Sequence, residues 1–301
     1  MANPLVSVIM PVFNEELYVR AAIESILEQT YENLELIIVD DYSTDRSLEI
    51  CASFKDPRIR LLSKTGELRN MAASRNIAIH MARGEYVINQ DADDLADPQR
   101  IERQLSKAVA NPGRRVVFCS VIRVEDGIEM FVGPAENHAE ICETFTRTSN
   151  RPSVVAGTIL APRSILLEIP YRVRFKYMHD WDLLLRLFES GRVEFYNCPQ
   201  SLYKYHIRRK GVIFKPDWFD YNVYVRQSQQ RRNKGLEEYA TLEEFRAHLN
   251  RHAMERAKWK LRESKLRLKH RIWRVHAWAR LRAWPTRIRF RSTPDSRHCS
   301  G

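Results

Sequence analysis

The chain has 301 residues, of which 44% are hydrophobic and 29% are charged, as in ordinary globular proteins. This composition excludes collagen-like and low-complexity proteins. The sequence has no apolar run of 18 residues that could span a membrane and no N-terminal signal pattern. The formal charge of +11 is unevenly distributed, because residues 1–250 carry a net charge of −2 and residues 251–301 carry +13. The sequence therefore indicates a nearly neutral body with a strongly cationic tail.

The first 125 residues alternate short apolar runs with amphipathic stretches. This pattern predicts βαβ units and a mostly parallel sheet. The predicted strands are residues 6–10, 34–39, 59–62, 86–88 and 116–124. The predicted helices are residues 15–30, 44–54, 68–81 and 98–109. Asn14 and Thr44 are predicted to cap the first two helices, and Gly84 is predicted to close the third.

The second part of the chain is less regular. Strands are predicted at residues 154–160 and 194–197, and a helix at 182–190 that ends at Gly191. From residue 221 the pattern is helical nearly to residue 284, where Pro285 stops it. Five cysteines lie far apart without a CxxC pair. This spacing argues against a disulfide framework or a structural zinc site, and it favours reduced thiols in the cytosol.

Two acidic clusters follow predicted strands, where open α/β sheets bind their ligands. Asp91 and Asp93, followed by Asp94, provide oxygen ligands of the kind that hold Mg²⁺ on substrate phosphates. A solvated acidic turn is the alternative, and the D-x-D spacing alone favours it. Asp41 could accept hydrogen bonds from a ribose or a base, whereas Asp45 fits a helix cap better.

Two later segments carry further candidates. Asp180 and Asp182 lie at a helix start, where a carboxylate can be a cap or a general base, and spacing alone favours the cap. His206 shares a short segment with several cations, which could bind a metal or phosphate or could form a solvated loop. These cations are Lys204, Arg208, Arg209 and Lys210. Arg75, in a mid-chain helix, could face phosphate.

Together these segments resemble the family 2 nucleotide-sugar glycosyltransferases with the GT-A fold. The matching motifs are VSVIMPVFNEE at 6–16, ILEQTY at 26–31, LIIVDDYSTD at 36–45, ASRN at 73–76, GEYVI at 84–88, DADD at 91–94, HDWD at 179–182 and YH at 205–206. They occur in the family's order over about residues 4–212. The resemblance implies an α/β, Rossmann-like GT-A domain at 1–215, with a nucleotide-sugar half at 1–125 and an acceptor half at 126–215. A helical basic tail follows at 216–301.

The resemblance also implies roles for individual residues. The base and ribose pocket would be lined by Pro11, Phe13, Glu15 and Asp41. Asp91 and Asp93 would hold Mg²⁺ or Mn²⁺ on the donor diphosphate, with Arg75 near the phosphates and His206 approaching the metal. Asp180 would be the catalytic base. The residue before it is commonly Glu in this family and is His179 here, which places the donor or acceptor preference in question.

The implied activity is inverting transfer of a single sugar from a nucleotide-diphosphate sugar to a hydroxyl of a glycan or lipid-linked acceptor. A positioned carboxylate takes the proton of the attacking alcohol, and a metal ion stabilises the leaving diphosphate. Synthesis of surface polysaccharide or lipopolysaccharide is the expected setting. The alternative is a catalytically silent nucleotide-sugar binding module that recruits partners through its tail.

The tail itself has apolar stripes with tryptophans between faces of Arg and Lys. Such a helix suits an anionic membrane surface, so residues 251–301 are predicted to bind one. Packing against the body and a solvated helix are the alternatives. Nucleic-acid binding is less favoured because no recognition motif accompanies the charge. We therefore expect a cytoplasmic protein on the inner face of the plasma membrane.

Overall fold

The computed structural model describes residues 3–64, 69–110, 114–133, 135–146, 154–208 and 218–251. The described residues up to Leu242 belong to one compact unit, and those from Glu243 belong to a second. The predicted division at residue 215 stays a prediction. Most of the cationic tail, from residue 252 onward, lies outside the described residues. Within the described part, no helix is both long and apolar enough to cross a membrane.

The first unit is built on one sheet, which has nine strands in the described part of the chain. These are β1 (Val6–Val12), β2 (Leu34–Asp40), β3 (Ile59–Ser63), β4 (Tyr86–Asn89), β5 (Leu95–Ala96), β6 (Arg115–Glu125), β7 (Ile128–Val132), β8 (Leu160–Pro162) and β9 (Glu194–Ile207). Their order is β3-β2-β1-β4-β8-β6-β9-β5, with β7 paired to β6. The strands β3, β2, β1 and β4 are mutually parallel, and so are β6 and β9. β8, β5 and β7 pair in antiparallel fashion.

Helices connect and flank these strands. They are α1 (Val19–Leu27), α2 (Ser47–Ser53), α3 (Met71–Met81), α4 (Arg100–Val109), α5 (His138–Thr146), α6 (Arg163–Glu168), α7 (His179–Glu189), α8 (Trp218–Arg232) and α9 (Leu242–Arg251). All seven residues of β1 and of β2 are buried, as expected for parallel strands covered on both faces. The registers Val12↔Asp40 and Ile9↔Asn89 bring the carboxyl ends of β1, β2 and β4 to one edge.

The roles predicted for Asn14, Thr44 and Gly84 at helix ends are wrong. Asn14 has φ +54°, and its side chain instead ties the loop after β1 to the loop after β2, since Oδ1 accepts the Thr44 N–H at 2.7 Å. α1 consequently begins only at Val19. Asp45, rather than Thr44, accepts the N–H of Ser47 at 3.0 Å at the start of α2.

Gly84 does not end α3, because Ala82 already leaves the helix with ψ 137°. Its lack of a side chain serves a close approach of two backbones. A Cβ at Gly84 would lie 2.6 Å from the Leu5 carbonyl oxygen and 2.7 Å from the Ser7 nitrogen. The glycine therefore lets the chain enter β4 directly beside β1.

The largest differences concern segments whose structure depends on distant partners. β9 is 14 residues long instead of four, because it pairs with β6 along its length and with β5 near its end. The predicted strand at 154–160 is mainly a 3₁₀ turn, and only Leu160 onward joins the sheet. The helix predicted from residue 221 stops at Arg232, where the chain turns at Gly235 with φ +66°. Its predicted continuation beyond residue 251 lies outside the described residues.

Candidate active site

The candidate site lies at the carboxyl ends of β1, β2 and β4. Because these strands are parallel, the loops that follow them meet at one edge of the sheet. Glu15 follows β1, Asp41 follows β2 and the acidic turn at 91–94 follows β4. β9 runs to the same edge, since His206 N–H donates to Asp94 Oδ1 at 2.8 Å. Glu15, Asp41 and the acidic turn therefore lie at the same edge of the sheet.

The acidic turn is held by its own backbone and by β9. Asp94 is fully buried, and its Oδ2 has no hydrogen-bond partner among the described residues. Burial raises the pKa of Asp94 to about 7, and the neighbouring carboxylates of Asp93 and Asp91 act in the same direction. Burial also raises the pKa of Asp93. A cation at this turn would relieve this accumulated negative charge.

Arg208, directly after β9, places a guanidinium between two of the acidic groups. It makes two hydrogen bonds of 2.7 Å to the carboxylate of Glu15 and one of 2.5 Å to Asp93 Oδ2. Even with this partner, burial raises the pKa of Glu15 to about 7. Sequence reasoning placed Arg208 in a cationic segment and did not assign it to the site. Its position two residues after His206 in the sequence was the signal that could have assigned it to the site.

His206 is oriented by the acidic turn. Its Nδ1–H donates to the Asp93 carbonyl oxygen at 2.9 Å, so Nε2 is the ring atom available to a ligand. Metal-binding histidines commonly donate the other ring N–H to a carbonyl in this way. Hydrogen bonding to Asp94 raises the pKa of His206.

Arg75, on α3, lies beneath the acidic turn and is almost completely buried. Its Nη2 donates to Asp91 Oδ1 at 2.6 Å, and its Nη1 lies 2.5 Å from Nε2 of His179. The guanidinium also lies over the Tyr171 ring, 5.6 Å from its centre. The structure thus joins the ASRN, DADD and HDWD motifs through one arginine.

Asp180 is in the first turn of α7, next to His179 in the chain. Its Oδ1 accepts the Trp181 N–H at 2.8 Å. The negative charge of Asp180 also acts on Arg75, whose pKa it helps to raise. Two residues later the fully buried Asp182 accepts a hydrogen bond of 2.7 Å from Arg186, one turn further along α7.

The residues expected to line the base pocket differ in their burial and in their partners. Pro11 is buried inside β1 and does not belong to the loop that follows it. Phe13 is half-buried, and the Arg69 guanidinium lies 4.3 Å from the centre of its ring. Asp41 is buried at the end of β2 and pairs with Lys64 at 2.5 Å.

Sequence reasoning also missed Arg100, which is fully buried on α4. Its guanidinium donates to the carbonyl oxygens of Asn89 and Gly157 and to Gln90 Oε1, at 2.7 to 2.9 Å. It therefore supports the chain just before the acidic turn. No sequence signal identifies it, because an arginine at the start of a helix is ordinarily solvated.

Two solved structures share this fold. The fold is similar to that of S. aureus TarS 1–349 in complex with UDP, with a TM-score of 0.58 at 19% identity, covering 75% of this chain and 65% of TarS 1–349. It is also similar to the mannosyltransferase PcManGT from Pyrobaculum calidifontis in complex with GDP-Man and Mn²⁺. There the TM-score is 0.56 at 18% identity, covering 79% of this chain and 66% of PcManGT. The chain thus spans slightly less than two thirds of each solved chain. The fold is the α/β GT-A fold, as predicted.

Sequence comparison then gives the family. Residues 7–169 match glycosyl transferase family 2. EpsE of Bacillus subtilis (strain 168), which is named as a glycosyltransferase, is 35% identical over 228 residues, covering 74% of this chain and 79% of EpsE. The UDP-Glc:alpha-D-GlcNAc-diphosphoundecaprenol beta-1,3-glucosyltransferase WfgD of Escherichia coli is 28% identical over 216 residues, covering 70% of this chain and 81% of WfgD. The chain belongs to glycosyl transferase family 2, and the predicted family is confirmed.

Proposed function

We propose that the protein transfers a sugar from a nucleotide-diphosphate sugar to a hydroxyl of a surface-glycan acceptor, with inversion at the anomeric carbon. The observation that carries this proposal is the meeting of three kinds of group at one sheet edge. Carboxylates of the acidic turn suit a metal, the guanidiniums of Arg75 and Arg208 suit a diphosphate, and Asp180 suits a base. Family membership supports the reaction class.

The donor nucleotide is proposed to lie over the ends of β1 and β2. Phe13 offers an aromatic face to the base, and Asp41 offers acceptor oxygens to the ribose. Pro11, at the end of β1, and Glu15, in the loop that follows β1, border this region. Structures of TarS in complex with UDP and with UDP-GlcNAc support a nucleotide-sugar donor.

The acidic turn fits Mg²⁺ or Mn²⁺. Asp91 and Asp93 supply hard oxygen ligands, and His206 is oriented with Nε2 available. Among the described residues no three His, Cys, Asp or Glu side chains form a ready metal cage. That agrees with Mg²⁺ chemistry, in which one or two carboxylates and substrate phosphates share the ion with water. A bound cation would supply charge stabilisation for the leaving diphosphate.

The chemical step assigned to this chain is a single displacement. The acceptor oxygen bonds to the anomeric carbon, the bond from that carbon to the diphosphate oxygen breaks, and the acceptor proton passes to Asp180. The Trp181 N–H holds Oδ1 of Asp180, so we assign the proton to Oδ2. Arg75 and Arg208 stabilise the negative charge that develops on the diphosphate.

A lipid-linked acceptor at the cytoplasmic face of the plasma membrane is proposed from two observations. WfgD, by its name, acts on a diphosphoundecaprenol-linked sugar, and residues 251–301 of this chain carry a net charge of +13. Such a segment is attracted to anionic lipids. Co-sedimentation with anionic vesicles should be lost when residues 252–301 are deleted. Unchanged vesicle binding, or tighter binding to DNA than to vesicles, would contradict this part.

The central proposal is tested by calorimetric titration of UDP, GDP and dTDP with and without Mn²⁺. We expect one nucleotide to bind, with at least tenfold higher affinity when Mn²⁺ is present. Asp93→Asn should remove the Mn²⁺ effect. Asp126→Asn is the matched control because Asp126 lies in the exposed turn between β6 and β7. A catalytically silent module would bind the nucleotide sugar but neither hydrolyse nor transfer it.

A further inference from the structure

Gln90 links the end of β4 to the acidic turn. β4 ends at Asn89, so Gln90 is the last residue before the turn at 91–94. Its backbone N–H donates to the Ile9 carbonyl oxygen at 3.0 Å, which fixes it against β1. Its side chain is fully buried. The residue is therefore a fixed point from which the side-chain amide reaches the turn.

The Gln90 amide holds both ends of the acidic turn. Its Nε2 donates to the carbonyl oxygen of Asp91 at 3.0 Å and to that of Asp94 at 2.8 Å. The Asp94 N–H also donates to the Asp91 carbonyl oxygen, at 3.2 Å, and closes the turn. The three carboxylates of this short segment repel one another. The amide keeps the backbone of the turn closed against that repulsion.

Arg100 determines which end of the amide faces the turn. Its Nη1 donates to Gln90 Oε1 at 2.7 Å, and a guanidinium has only donors, so the oxygen must face Arg100. The NH₂ group therefore faces the two carbonyl oxygens of the turn. The other hydrogen bonds of Arg100 go to uncharged acceptors, which are Gln104 Oε1 and the carbonyl oxygens of Asn89 and Gly157.

We propose that Gln90 is a positioning residue that keeps the acidic turn closed in the form that receives a divalent cation. The inference rests on the proposed function, because it assumes that Asp91 and Asp93 hold the metal. A turn that is already closed loses little conformational freedom when the cation binds, so the cation binds more tightly. Residues that orient metal ligands typically change metal affinity by about 10–100-fold when they are replaced.

Gln104 provides a matched control. It is also fully buried, and its Oε1 accepts a hydrogen bond of 3.0 Å from the same Arg100. Its Nε2 likewise donates to two carbonyl oxygens, those of Val117 at 2.8 Å and Thr158 at 2.7 Å. Gln90→Glu and Gln104→Glu each keep an acceptor for Arg100, lose two donors and add one negative charge. The two variants differ in whether the lost donors hold the acidic turn.

The test is titration of Mn²⁺ into the wild type and both variants at pH 8, with the free ion measured by electron paramagnetic resonance. We expect Gln90→Glu to bind Mn²⁺ at least tenfold more weakly than wild type, and Gln104→Glu to bind within about threefold of wild type. The added negative charge by itself attracts the cation, so charge cannot explain a loss. The same difference is expected in the Mn²⁺ enhancement of UDP or GDP binding, measured by calorimetry.

The outcomes separate this inference from the proposed function. Equal Mn²⁺ affinities of the two variants, whether wild-type or weakened, would overturn the role of Gln90 and leave the metal assignment intact. If the wild type shows neither Mn²⁺ binding nor Mn²⁺ enhancement of nucleotide binding, the metal assignment falls and the role of Gln90 falls with it.

A second pair of variants covers the case in which a Glu variant does not fold, which its thermal unfolding without metal would show. Gln90→Met and Gln104→Met remove the same amide donors and add no charge. Only Gln90→Met should weaken Mn²⁺ binding, by about tenfold or more. Equal affinities of the two Met variants would overturn the positioning role.

Discussion

Replacing Arg208 by Gln should increase the affinity of the free protein for Mn²⁺. The Arg208 guanidinium donates hydrogen bonds to Glu15 at 2.7 Å and to Asp93 at 2.5 Å. It therefore neutralises a carboxylate that we assign to the metal, and a divalent cation must compete with it. A neutral side chain of similar length removes this competition.

The size of the effect follows from the geometry. Two opposite unit charges about 4 Å apart attract by about 4 kcal/mol at an effective dielectric constant of about 20. The Arg208 side chain is 33% exposed, and water screens such pairs strongly. We therefore expect about 1–2 kcal/mol, which corresponds to roughly 5–30-fold in affinity.

The assay is titration of Mn²⁺ without nucleotide, with the free ion measured by electron paramagnetic resonance. It is done at pH 8, because loss of Arg208 would raise the pKa of Glu15 further above its value of about 7. Lys204→Gln is the matched control, since it removes one positive charge from β9 that pairs with Glu129 at 3.1 Å. If Arg208→Gln binds Mn²⁺ no more tightly than wild type at pH 8, the assigned competition is wrong.

Three further predictions address the base, the buried carboxylate and the sheet. Asp180→Asn should keep nucleotide affinity within about threefold and lower turnover by roughly 10²–10⁴-fold, the usual contribution of a general base; full activity in a donor-turnover assay would exclude it as the base. The pKa of Asp94 is raised to about 7, so its contribution to stability is complete at low pH and is lost as the pH rises through 7. Between pH 5.5 and 8 the free energy of unfolding, measured by urea titration without metal, should therefore fall less for Asp94→Asn than for the wild type. An equal fall in both proteins would argue against the raised pKa. Gly84→Ala should destabilise the protein by about 3 kcal/mol, because the added Cβ would overlap the backbone of β1. Gly127→Ala is the control and should cost about 1 kcal/mol, because Gly127 has φ +78° and open space around it. Equal urea midpoints for these two variants would contradict the close approach at Gly84.

The parallel half of the fold was predictable from the sequence. Buried strands with continuous apolar runs alternate there with amphipathic helices, so local pattern and final structure agree. The boundaries of β1, β2, β3 and β4 differ from the predicted ones by at most two residues. The length of β9 was not predictable, because its extension depends on pairing with β6 and β5, which are distant in sequence.

The candidate site divides in the same way. Asp91, Asp93 and Asp180 could be proposed from the sequence because their motifs are local and resemble those of the family, and their roles stay predictions. The partners of these residues were not found, because ion pairs between distant segments leave no periodic signal. Arg208 meets Glu15 across 193 residues, and Arg75 meets His179 across 104.

The charge distribution and the order of motifs were determined by the sequence alone. They separate a nearly neutral body from a cationic tail and place carboxylates at strand ends, because composition and spacing are properties of the linear chain. Only the tertiary structure decided which charges neutralise one another. It surrounds the acidic turn with Arg75 and Arg208 and puts His179 behind one of these arginines, because burial makes each unpaired charge costly and folding selects its partner.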